Sequence, residues 1–128
     1  MQRRYLIEAA GIGLSVCLAL FATWLMLLPA GPEVAPRFPH LDKLAHFVAF
    51  FFIALPALAV RPADWLWIVV LASVLGGAIE IIQPMFGRGR ELADFVADVL
   101  GALAAVPVGR WLSHRLSKLR QLREREGT

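Results

Sequence analysis

Apolar residues in this chain come in long blocks, not at the alternating spacing of a half-buried strand or the one-faced spacing of a soluble amphipathic helix. The blocks are Tyr5–Leu28, Leu44–Val60, Trp65–Ile82 and Leu92–Leu112. A bilayer-spanning helix needs roughly 20 mostly apolar residues. The pattern therefore predicts spanning helices over 5–28, 42–60, 64–83 and 92–112. The predicted fold class is all-α, an integral membrane bundle of four transmembrane helices over 1–112 with a basic cytoplasmic tail over 113–128. In the tail, Leu112, Leu116, Leu119 and Leu122 share a stripe with Arg115, Lys118, Arg120, Arg123 and Arg125 around it. That is a basic amphipathic C-terminal helix, suited to anionic inner-leaflet lipids.

Composition agrees with this reading. Hydrophobic residues make up 59% of the 128, charged residues 18%, and mean hydropathy is +0.65. A pI near 9.8 comes largely from the tail and implies no nucleic-acid partner, because no nucleic-acid motif, phosphate-cradling Gly loop or nucleophile elbow is present. The single Cys17 excludes an internal disulfide, and a buried, inert thiol is expected there. The apolar run after "MQRRY" exceeds the h-region of a signal peptide, and "LSVC" only faintly resembles a lipoprotein cleavage box. The first span is expected to be retained.

Charge sets the orientation. With the N-terminus inside, Arg3, Arg4, Arg61, Arg110, Arg115, Lys118, Arg120, Arg123 and Arg125 lie inside, and Arg37, Lys43, Arg88 and Arg90 outside. The positive-inside rule then places both termini in the cytoplasm. Asp42, Lys43 and His46 open the second helix, Glu80 and Gln83 close the third, and Asp94 and Asp98 open the fourth. All fall at the outer face.

Within each helix these groups share a face. Asp42 and His46 are four apart, Glu80 and Gln83 three, and Glu91, Asp94 and Asp98 follow i, i+3, i+7. A rise of 1.5 Å per residue puts Asp98 roughly 9 Å below Leu92. Beside that acid stripe runs a small-residue ladder, Ala93, Ala97, Gly101, Ala105 and Gly109, and the third helix carries Ala72 and Gly76 before Glu80. Small residues let helices approach closely in lipid, so the acids are expected to face the bundle.

The segments "DKLAHFVAFF" from Asp42 and "EIIQPMFGRGRELADFVADVLGALAA" from Glu80 resemble the VanZ-like family of small bacterial membrane proteins. That family shows D-K-x-x-H-F, then E-x-x-Q, a loop Arg and D-x-x-x-N-x-x-G. The matching positions are Asp42, Lys43, His46, Glu80, Gln83, Arg88, Asp94, Asp98 and Gly101, with Asp98 where Asn is expected and Ala105 where Gly is frequent. The resemblance implies a cell-envelope role, linked through the family name to glycopeptide (teicoplanin) resistance, and no defined reaction.

Ionisable groups inside spans are expensive and usually functional. The expectation is an outward polar pocket of Asp42, Lys43, His46, Glu80, Gln83, Arg88, Arg90, Asp94 and Asp98 that binds, and in its stronger form modifies, a lipid or lipid-linked headgroup. Arg88 and Arg90 would hold a phosphate, and His46 with Glu80 or Asp94 would supply acid–base chemistry. The alternative is a non-enzymatic structural or partner-binding subunit, a homo-oligomer included, whose polar cluster only fixes helix packing. His46, Glu80, Asp94 and Asp98 also suit Zn or Mn chemically, but no H-E-x-x-H or similar spacing occurs, so no metal and no cofactor is assigned.

Overall fold

A computed structural model describes residues 2–29 and 40–126. Its helices are α1 (Gln2–Met26), α2 (Leu41–Val60), α3 (Trp65–Ile82) and α4 (Leu92–Glu126), with short 3-10 turns at Pro62–Asp64 and Gln83–Phe86. No strand occurs among the described residues. Each of the four helices is long and apolar enough to cross a membrane. The protein is an all-α bundle, as the block pattern requires.

α2 and α4 form the central pair, with α3 against α4 and α1 chiefly against α2. The small-residue ladder explains that pairing. A Cβ at Gly101 would overlap the carbonyl oxygen of Phe47, and one at Gly109 would overlap Leu58. Ala102 and Ala105 are fully buried at the same contact, with Phe50, Leu58 and Ile79 the largest apolar side chains sealed inside. The ladder closes from Ala97 downward, since Ala93 is exposed. α1 is the outlying helix, and Leu6, Leu20 and Trp24 stay exposed on it. It is held in part by Ser15, whose hydroxyl accepts the Ala57 N–H at 3.0 Å, one residue after Pro56 interrupts the α2 ladder.

Three expectations change. Cys17 is exposed on the outer side of α1, because α1 presents only one stripe to α2 and the thiol falls off it. The tail is no separate helix, since α4 runs unbroken for 35 residues. No Gly or Pro stands between Leu112 and Glu126 to end it, so about 52 Å of helix extends past a hydrocarbon core of about 30 Å. The tail is therefore the last part of a spanning helix and not a separate element. α1 begins at Gln2 and ends at Met26, two residues before the predicted end. Arg37 lies outside the described residues.

At the end of the bundle where α1 and α3 begin, Arg61 pairs with Asp64 and the Arg110 guanidinium lies 5.5 Å from the centre of the Trp65 ring. Arg115 stacks similarly on Trp111 at 5.2 Å. These aromatic–cation contacts suit a membrane–water boundary.

Candidate functional site

The up-and-down chain path puts the starts of α2 and α4 and the end of α3 at one end of the bundle. Pro84 lacks the N–H that would continue α3, and Gly87 adopts φ +74°, a left-handed conformation that a side chain disfavours. The chain thereby doubles back, with the Arg88 N–H donating to Gln83 O at 3.3 Å. Four residues later α4 begins, and its first acidic face meets α2.

The polar groups form a ladder across the helices. At the rim, Arg88 reaches Asp42 at 3.4 Å. Next, Lys43 donates to Glu91 at 2.6 Å and to Asp94 at 3.2 Å. Deeper, His46 Nδ1 and Asp98 Oδ1 lie 2.9 Å apart, both sealed at 1% and 0% side-chain exposure. Glu80, also buried, accepts the Glu91 N–H at 2.9 Å. Polarity thus runs from half-exposed ion pairs to a buried interior. At the top, the Lys43 ammonium holds the Glu91 carboxyl below its ordinary value.

Four buried atoms have no hydrogen-bond partner among the described residues: His46 Nε2, Glu80 Oε1, Gln83 Oε1 and Asp98 Oδ2. Three are acceptors outright, and His46 Nε2 becomes one when Nδ1 carries the proton toward Asp98. Asp98 Oδ2 points into the α3 contact, where a Cβ at Gly76 would come within 2.6 Å of it. Gly76 therefore makes room for the carboxylate.

Beside this interior, a cavity of about 540 Å³ opens between α3 and α4. Gly77, Ile81, Leu92 and Phe95 give it apolar walls, and Glu80, Arg90 and Glu91 give it polar ones.

Asp42, Lys43, His46, Glu80, Asp94 and Asp98 thus come together as the spacing predicts. Arg88 is turned toward Asp42 and is not joined to Arg90. Arg90 is exposed with no ion pair among the described residues, and it lines the cavity. Gln83 belongs to a different contact, its Nε2 donating to Met26 O at 3.3 Å. That carbonyl is one of those a helix C-terminus leaves unsatisfied, so Gln83 ties α1 to the bundle. Glu91 was overlooked as a site member, although its place in the i, i+3, i+7 series signalled it. The comparison with protein-family models, curated proteins and solved structures finds no match to this chain.

Proposed function

We propose that this chain is a cell-envelope membrane protein that binds the polar headgroup of a lipid or lipid-linked molecule where α3 and α4 meet. The carrying observation is the α3–α4 cavity, in which apolar walls stand next to two carboxylates and an exposed arginine that has no ion pair among the described residues. A phosphate would sit on Arg90, acyl carbon would lie along Ile81, Leu92 and Phe95, and headgroup hydroxyl or ammonium donors would meet Glu80 and Glu91. The arrangement supports binding more than chemistry, because His46, at 1% exposure, is closed to a substrate. The resemblance to the VanZ-like family supports an envelope setting. The cationic excess near the opposite end of the bundle supports a cytoplasmic location for both termini and an outward-facing cavity. Beyond the membrane, Arg115 and Lys118 would first meet anionic inner-leaflet headgroups.

A second reading has its own support. Lys43, His46, Glu80 and Gln83 each make a polar bond to another helix or its approach, which is what a network fixing helix register would do. Phospholipid retained through purification, counted by native mass spectrometry, separates the two. Arg90→Ala should lose the bound lipid while Arg61→Ala, at the other end, keeps it. Equal retention in both would remove the headgroup reading.

A further inference from the structure

The rim of the site is neutralised by lysine and arginine, whereas its interior holds two acids that neither cation reaches. Lys43 is engaged by Glu91 and Asp94, and Arg88 by Asp42. Neither cation is bonded to Glu80 or Asp98. These two acids, together with His46, come from three different helices and are 4%, 0% and 1% exposed. One ligating atom from each lies within 4.8 Å of the others. Each of the three also carries a buried polar atom without a hydrogen-bond partner.

We infer that His46, Glu80 and Asp98 form a binding site for a divalent transition-metal cation of the Zn²⁺ or Mn²⁺ type. A proton shared between His46 and Asp98 would satisfy one contact and leave the unpartnered atoms as they are. A divalent cation would draw acceptors from all three residues at once and balance two buried carboxylates. One imidazole with two carboxylates favours Zn²⁺ or Mn²⁺ over Ca²⁺ or Mg²⁺, which take oxygen ligands. The geometry is close to what such an ion requires. Metal–ligand bonds of about 2.0–2.2 Å set neighbouring ligand atoms about 3.0–3.6 Å apart. The His46–Asp98 pair, at 2.9 Å, is already near that spacing, and the outer limit of 4.8 Å closes by side-chain rotation of about 1–2 Å. Asp42 and Asp94 form a second group with His46 within the same limit and stand on the rim side as outer carboxylates.

Three protein ligands leave a coordination position open. Glu80 belongs both to the trio and to the wall of the α3–α4 cavity, so the site adjoins that cavity. The inference needs only the three side chains and no headgroup, and it is tested separately from the lipid reading.

The test uses the full chain in detergent, stripped with a chelator, reloaded with Zn²⁺ or Mn²⁺ alone and desalted, with metal measured per chain. One of the two ions should be retained at about one equivalent, and His46→Gln or Glu80→Gln should weaken its binding by about tenfold or more. Arg90→Ala should retain it. Titration of the unsubstituted protein with Co²⁺ should give a saturable visible absorption band, a readout that does not depend on the variants folding. Retention of neither ion with no Co²⁺ band, or equal retention in wild type and both ligand variants, would overturn the site.

Discussion

Glu91 stands one residue before α4 and carries the second link of the polar ladder, just below the rim, its carboxylate 2.6 Å from the Lys43 ammonium. The ion pair holds that carboxyl below its ordinary value of 4.5. Near that pH the folded protein therefore binds fewer protons at this position than the unfolded chain does. The sign follows from linkage: the pair's contribution is complete above pH 4.5 and disappears as pH falls through the lowered value. The melting-temperature difference between wild type and Glu91→Gln should be constant around neutral pH, where both partners are charged, and shrink toward zero in acid. A difference that persists or grows in acid would mean that Glu91 acts through something other than its charge. Its side chain is more than half exposed, so the difference should be small and should fall further with added salt.

At the scale of elements, the approach of α2 to α4 rests on Gly101, which faces the Phe47 carbonyl with no room for a Cβ. Backbone cannot rotate out of the way as a side chain can. Gly101→Ala should lower unfolding stability in detergent by about 1–3 kcal/mol and disturb the polar cluster a turn above it. Gly13→Ala, with nothing within 4 Å, should be neutral or gain up to about 1 kcal/mol from helix propensity. Equal effects would mean that the α2–α4 contact is looser than described. This contact was legible in the sequence because helical periodicity alone puts Gly101, Ala105 and Gly109 on one face beside Asp94 and Asp98. The convergence of Asp42, His46, Glu80 and Asp98 was legible for the same reason, once four spans fixed which helix ends lie together. The bond from Ser15 to Ala57 and that from Gln83 to Met26 were not, since each depends on a partner about 42 or 57 residues away and no local period encodes it. The continuity of α4 is hidden in the sequence because a change from apolar to basic composition looks like a boundary, whereas the backbone registers only breakers, and none stands between Leu112 and Glu126.

For the molecule as a whole, four helices with exposed apolar perimeters enclose one polar interior placed entirely toward one end. Which side of the membrane that end faces is decided by the loops. In a Cys17→Ala background, a cysteine at Phe86 should react with an impermeant reagent on intact cells, and one at Asp64 should not. The reverse pattern would turn the cavity toward the cytoplasm and end the extracytoplasmic reading. The central claim is that the buried acids serve a ligand and do not merely hold the helices together. Its most direct test is Glu80→Gln, which keeps the side chain's shape and an oxygen for the Glu91 N–H while removing the charge. Bound phospholipid and melting temperature are measured on the same purified sample, with wild type and Arg90→Ala alongside. The account predicts that Glu80→Gln inserts normally and melts at or above the wild-type temperature, yet loses the lipid as Arg90→Ala does. Unchanged lipid with a lowered melting temperature would contradict it and leave the cluster as a packing device.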